Sequence, residues 1–310
     1  MNWHSEEIED LVQRALAEDI GSGDATTAAT VSPRATANAS IVARQTLVCA
    51  GLPIAEKVFH VLDPHMQVEP VHTDGSFAES GAELIRLAGN ARAILTGERT
   101  ALNFLAHLCG VATLTRRFVE QLSGTRTRIR DTRKTIPGLR ALEKYAVRTG
   151  GGSNHRFGLY DAILLKENHI ALAGGIAAAL DRAHAHTSTH AAPPRAASAY
   201  DAAGLDPEVV GPGPLAVQIE VRNERELREA LGAGAESVLL DNMAPEEALR
   251  CVGLARVMRN DCVIEISGGI NLDNLREYAE TGADFLSSGA LTHSAPAVSL
   301  SLLVDRIERK

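Results

Sequence analysis

The residues best suited to chemistry are concentrated between Arg126 and Lys166, where ten lysines and arginines stand in a chain whose net charge is −8. A cationic island in an acidic protein is either a pocket for a small polyanion or a surface patch neutralised by neighbouring acids. Lys166 closes the apolar run AILLK, and a lysine ending a buried strand is costly without a partner, which favours a functional role. Downstream, Glu220 and Asp241 each sit in an apolar strand context. Such a carboxylate pair can hold Mg²⁺ on a phosphorylated substrate, stabilise a developing cation, or simply be solvated at strand ends. Ser267-Gly268-Gly269 and Ser288-Gly289-Ala290 each follow a strand pattern. Glycine lets the backbone approach an anion and helix-start N–H groups donate to phosphate oxygens, although such glycines can also just turn the chain.

These residues need elements to carry them. Ile8, Leu11, Val12, Ala15 and Leu16 keep helical spacing, with Ser5 as N-cap. Strand patterns at 35–50, 68–71 and 83–88, with a helix at 53–62, describe an α+β layer. A long helix is expected from Gly97 to Leu122, and Arg99 lies about 200° around it from Ala101, away from the apolar stripe and toward solvent. Regular alternation then begins. Strands are expected at 126–132, 161–166, 217–221, 237–241, 262–266 and 284–287, and helices at 137–147 (Pro137 in the first turn), 170–186, 224–233, 245–258 and 272–280. Six visible strands are too few for a complete eight-stranded barrel, so an incomplete parallel barrel is expected, with ligands at the carboxyl ends of its strands. In the first of these strands, period-two alternation separates Ile129, Asp131 and Arg133 from Arg126, Arg128 and Arg130. Arg133 is then the inward candidate, and the triple-arginine face is solvated or at an interface.

At 310 residues with 45% apolar content, the chain can bury the core of one large or two moderate domains. Its acidic balance argues against non-specific nucleic-acid binding. Apolar runs are too short for a membrane span, and the acidic amphipathic N-terminus is no signal or transit peptide. Cys49, Cys109, Cys251 and Cys262 are scattered, which reads as reduced, structural and cytoplasmic. The Pro/Ala-rich stretch at 187–215 should be a mobile surface insertion. His184, His186 and His190 flank or enter it, but lack an acidic or cysteine neighbour that would make a metal site.

The block DTRKTIPGLRALEKYAVRTGGGSNHRFGLYDAILLKENH, with LAEDIGSGDATT before it and IEV, LLDN, ISGGI and SSGAL after it, closely resembles the quinolinate phosphoribosyltransferases, over nearly the whole chain. The resemblance implies an α/β fold: an N-terminal α/β sandwich (1–108, with a returning C-terminal helix at 295–310) and an open α/β barrel of six to seven parallel strands (109–294). It implies a homodimer and a Mg²⁺-dependent transfer from phosphoribosyl pyrophosphate (PRPP) to quinolinate, with decarboxylation, yielding nicotinate mononucleotide, pyrophosphate and CO₂ for NAD biosynthesis. By position, Thr132, Arg133, Lys134, His155, Arg156 and Lys166 match the residues around quinolinate, and Arg99 matches an arginine supplied by the neighbouring subunit. Glu220 and Asp241 match the acidic pair near ribose and Mg²⁺–pyrophosphate, reached directly or through water, while Ser267, Gly268, Gly269, Ser288, Gly289 and Ala290 match phosphate turns. Lys134, Lys166, Glu220 and Asp241 are the implied catalytic set. The alternatives are a related phosphoribosyltransferase for another heteroaromatic acid, and a non-catalytic barrel that binds a phosphorylated metabolite.

Overall fold

Helix α1 (Glu6–Ile20) begins where Ser5 Oγ accepts the Ile8 N–H, and it buries Ile8, Val12 and Leu16 on one stripe. The computed structural model describes residues 1–189 and 215–308, so most of the expected insertion, including His190, lies outside the described residues. After α2 (Ala25–Thr30) come β1 (Thr36–Ala43), β2 (Leu47–Val48), α3 (Leu52–Leu62), β3 (Gln67–Pro70), β4 (Phe77–Ala78) and β5 (Glu83–Asn90). The single run expected at 35–50 is thus two strands. Helix α4 (Ala91–Gln121) then runs unbroken through the expected domain boundary at 108/109.

The remaining elements are β6 (Arg128–Arg130), α5 (Arg140–Thr149), β7 (Ile163–Leu165), α6 (Glu167–Ala173), α7 (Ile176–Thr189), β8 (Val217–Val221), α8 (Glu224–Gly232), β9 (Ser237–Asp241), α9 (Pro245–Met258), β10 (Val263–Ser267), α10 (Leu275–Ala279), β11 (Phe285–Ser287), α11 (Ala290–His293) and β12 (Leu300–Glu308). Two helices differ from expectation for backbone reasons. Gly138 at φ 83° turns the chain before α5, which therefore starts after Pro137 rather than on it. Gly174 and Gly175, at φ 91° and 130°, split the segment expected as one helix into α6 and α7.

The C-terminal return is a strand, not the expected helix. β12 pairs antiparallel with β1 in a four-stranded sheet ordered β12-β1-β5-β3. Its sequence explains this: Ser299, Leu300, Ser301 and Leu302 alternate with period two, and Leu300 and Leu302 pack onto the core. Gly110 of α4 lets the Pro296 backbone pass so close that a Cβ there would collide with it.

Six parallel strands form the second sheet, ordered β6-β11-β10-β9-β8-β7, an open barrel with β6 and β7 at its edges. The Ser153 segment makes one parallel bridge beside β6 and partly fills the gap. Ile219, Val221, Val238, Leu240, Ile264, Ile266 and Leu286 are buried, and form the apolar side of the strands. The intervening residues, aligned by register as Glu220 with Leu239, Glu265 with Leu239 and Phe285, and Ser267 with Asp241 and Ser287, share the other face. That face mixes Glu220, Asp241, Glu265, Ser267 and Ser287 with Leu239 and Phe285, and it lines the barrel's interior.

Candidate active site

The interior face opens into a cleft of about 670 Å³ at the carboxyl ends of the strands. Thr132, Arg133, Lys134, His155, Arg156, Lys166, Glu220, Asp241, Ser267, Gly268, Gly269, Ser288, Gly289 and Ala290 all line it. Every site residue named from the sequence is therefore in one place except Arg99. That arginine is exposed on α4, outside the cleft of its own chain.

Two loops carry the cations. Arg140 ties them together, donating from Nε to Thr135 Oγ1 at 3.0 Å, from Nη1 to the Phe157 carbonyl at 3.1 Å and from Nη2 to the Arg133 carbonyl at 3.4 Å. Beneath them Lys144 Nζ meets Asp131 Oδ1 at 2.5 Å, with both side chains fully buried. Asp131 also accepts the His155 N–H at 2.8 Å, and Lys144 donates to the His155 carbonyl at 3.0 Å. A buried ion pair thus clamps the segment that carries His155 and Arg156.

Arg133 and Arg156 face the same cleft, and each has a buried Nε with no hydrogen-bond partner among the described residues. Burial and the like charge of Arg133 pull the Arg156 pKa below its ordinary value. Lys166 is not the buried lysine that its place after an apolar run suggests. It is half exposed, with Nζ 2.7 Å from Glu220 Oε2. Glu220 and Asp241 end adjacent strands, and Asn242 Nδ2 donates to Asp241 Oδ2 at 2.8 Å. Asn242 holds φ 53°, an unusual backbone state for a non-glycine residue. A side chain at Gly268, where φ is 107°, would collide with Asn242. The turn at Gly268–Gly269 leads into α10 at Leu275, three residues later than the helix start expected at Leu272.

Residues that the sequence reading missed lie on the cleft floor and beneath it. Glu265 lines the cleft, fully buried, and Arg130 Nη1 approaches it at 3.4 Å while the guanidinium carbon of Arg130 lies 3.0 Å from the Phe285 ring centroid. This corrects the expected orientation of β6. Arg130 points into the barrel and Ile129 toward the helices, because both faces of a barrel strand are covered and alternation cannot rank them. The register of Arg130 with Ser287 decides it. Glu265 carried a legible signal, since it stands two residues before Ser267 in an apolar strand. Burial opposes its ionisation, yet the Arg130 charge and hydrogen bonds from Gln218 and Ser287 hold its carboxyl below the usual range. His293 and Asn271 also line the cleft, and nothing local in the sequence marks them.

Glu220 and Asp241 are the carboxylates that could donate to a divalent cation, and no group of three or more His, Cys, Asp or Glu able to hold a metal occurs among the described residues. Two carboxylates suit Mg²⁺ that arrives on substrate phosphates and keeps part of its water shell, not a metal caged by protein alone.

Comparison with known proteins places this geometry among relatives. The profile for the N-terminal domain of quinolinate phosphoribosyl transferase matches residues 24–109, and that for its C-terminal domain matches 111–192 and 205–303. The chain is 38% identical over 299 residues to a Synechocystis protein named probable nicotinate-nucleotide pyrophosphorylase [carboxylating], covering 96% of this chain and 93% of that one. It is 39% identical over 298 residues to the Mycobacterium leprae nicotinate-nucleotide pyrophosphorylase [carboxylating], covering 94% and 95%. The solved nicotinate-nucleotide pyrophosphorylase of Francisella tularensis superposes with a TM-score of 0.84 at 38% identity, covering 97% and 96%. No helix among the described residues is long and apolar enough to cross a membrane.

Proposed function

The chain belongs to the quinolinate phosphoribosyltransferase family, decarboxylating pentosyltransferases of NAD biosynthesis, and from that premise we propose how its own residues run the reaction. Quinolinate binds with its two carboxylates between Arg133, Arg156 and Lys134, with Thr132, His155 and Lys166 completing the walls. PRPP lies across the neighbouring strand ends. Its 5′-phosphate rests on the turns at Ser267–Gly269 and Ser288–Ala290, and its ribose faces Glu220 and Asp241.

The pyridine nitrogen attacks the anomeric carbon with its lone pair as the bond to pyrophosphate breaks, and pyrophosphate leaves with that electron pair. Charge builds on the ribose as the bond loosens, and the Glu220 and Asp241 carboxylates stabilise it electrostatically. Lys134 and Lys166 supply ammonium charge for the acid and the departing pyrophosphate. Once ribosylated, the cationic ring accepts the electrons of the bond to its 2-carboxylate. CO₂ departs, and the carbon takes a proton from water. The protein contributes position and charge, not an obligate general base. Mg²⁺, held by the pyrophosphate with Glu220 and Asp241 directly or through water, would neutralise charge on the leaving group. The functional unit is a homodimer in which Arg99 of one subunit completes the other's acid pocket. Four free, buried cysteines accord with the reducing cytoplasm.

The observation that carries this reading is the Arg133–Arg156 pair. Two guanidinium groups with unused buried donors face one cleft, and their mutual repulsion is relieved by a ligand with two negative groups. The test is release of CO₂ from carboxyl-labelled quinolinate in the presence of PRPP and Mg²⁺. We expect turnover with quinolinate and little with nicotinate. Equal turnover of the two acids removes the dicarboxylate assignment, and silence from folded protein favours a metabolite sensor.

A further inference from the structure

Beneath the acid pocket runs a chain of hydrogen bonds whose direction is set link by link. The Arg156 backbone N–H donates to His155 Nδ1 at 2.7 Å. A backbone N–H can only donate, so Nδ1 must be bare. At the other end, Gln218 Nε2 donates to Glu265 Oε2 at 3.1 Å, and an ionised carboxylate can only accept. The Gln218 amide is thereby oriented with its oxygen toward the histidine, 3.2 Å from His155 Nε2. An amide oxygen can only accept, so Nε2 must carry the proton. Arg130 closes the chain by meeting the same Glu265 oxygen at 3.4 Å. The main chain of His155 is held independently by Asp131 and Lys144.

We propose that Gln218 and Glu265 are positioning residues that fix His155 as a neutral imidazole protonated on Nε2, so that His155 aims Arg156 at the substrate and itself contributes neither charge nor proton. Both ring nitrogens are committed inside the protein. The charge that meets the acid therefore comes from Arg133, Arg156, Lys134 and Lys166, together with the partner subunit's Arg99. Glu265 at 3.7 Å from Nε2 would by itself favour an imidazolium. Gln218, interposed between them, takes the histidine's proton as a hydrogen bond and passes its own N–H to the carboxylate. The inference rests on the proposed reading of the cleft as the acid pocket, but the tautomer is measurable without any turnover.

The experiment uses the full chain labelled with ¹⁵N-histidine, with the His155 signals assigned as those lost in His155→Asn. At pH 7 the His155 ring should show a protonated Nε2 and a bare Nδ1, with and without quinolinate. An imidazolium, or a ring protonated on Nδ1 alone, overturns the proposal whichever acid the enzyme uses. Gln218→Met removes both amide hydrogen bonds and leaves the Arg130–Glu265 pair in place. It should raise the KM for quinolinate about tenfold, the worth of roughly one hydrogen bond, and leave the KM for PRPP unchanged. Gln218→Glu is nearly the same size yet cannot donate to Glu265, so it should do at least as much harm as Gln218→Met. Wild-type quinolinate KM in both variants, with folding checked by circular dichroism, refutes the positioning role. If quinolinate is not turned over at all but the tautomer is as stated, the function reading fails and the tautomer assignment stands.

Discussion

The two larger sheets treat charge in opposite ways. On the antiparallel N-terminal sheet, Arg86 meets Glu83 at 2.8 Å and Glu69 at 3.8 Å on a solvent-exposed face. In the parallel barrel, Lys144 and Asp131 are fully buried together, and Arg130 and Glu265 nearly so. Exposed pairs add little to stability, because water and salt screen them and ordering long side chains costs entropy. Buried pairs carry a desolvation penalty that apolar residues of similar volume would avoid. The barrel therefore forgoes stability that its sister sheet does not, and it does so directly under the cleft. The difference teaches that its buried charges fix the position of the segment carrying His155 and Arg156, and are poorly explained as reinforcement of the fold.

The sharpest way to break this contrast is Asp131→Ala. It leaves Lys144 buried without its counter-ion and frees the His155 backbone, so unfolding free energy should fall by about 3–5 kcal/mol, measured by urea denaturation. A loss no larger than that of an exposed pair would erase the distinction between the sheets. Next in size is Arg99→Ala, on the N-terminal stretch of α4, where a charged-group hydrogen bond of up to about 3 kcal/mol would be lost and activity should drop about 100-fold. Lys166→Ala should be inactive by itself. Mixing the two proteins under subunit exchange should restore about a quarter of the sites in a two-fold dimer. Absence of any recovery with exchange demonstrated refutes a shared site.

A smaller effect follows from Glu265, whose carboxyl is held below its ordinary value despite burial, by the Arg130 charge and by hydrogen bonds from Gln218 and Ser287. A lowered folded-state pKa means that the unfolded chain binds the proton more readily. The stabilisation is therefore complete above the unfolded value of about 4.3 and is lost as pH falls through the folded value. The stability gap between wild type and Glu265→Gln should thus be widest near neutral pH and narrow in acid. A gap constant down to pH 3 would show that Glu265 is held neutral, and would contradict its role as terminal acceptor.

What could be read from sequence follows the same division. β8 and β9 lie where their apolar runs place them: Ile219 and Val221 are the buried alternate residues of β8, and Val238, Leu239 and Leu240 are all buried in β9. The chemistry at their ends was legible for the same reason, as polar residues interrupt apolar strands at one level of the barrel. Arg130 was not legible. A three-residue strand covered on both sides has no solvent face to orient it, and only the non-local register with Phe285 and Ser287 does so. The Lys144–Asp131 pair joins residues thirteen apart through a helix, which strand alternation cannot reveal. The C-terminal strand was obscured by expectation from the resemblance, although its serine–leucine alternation was in plain view.

The smallest expected effect is the most direct control. Arg86→Ala removes the cation from the exposed pairs with Glu83 and Glu69 and leaves no buried charge behind, since both carboxylates remain open to water. Ser40 Oγ still donates to Glu83 at 3.1 Å, so that carboxylate keeps a local partner. The variant should unfold at the wild-type urea concentration and turn over substrate at the wild-type rate, in low and in high salt. A clear loss of stability confined to low salt would show that this face belongs to a wider charge network. The contrast between the two sheets would then be one of degree, because screening acts on exposed charges and leaves the pairs beneath the cleft almost untouched.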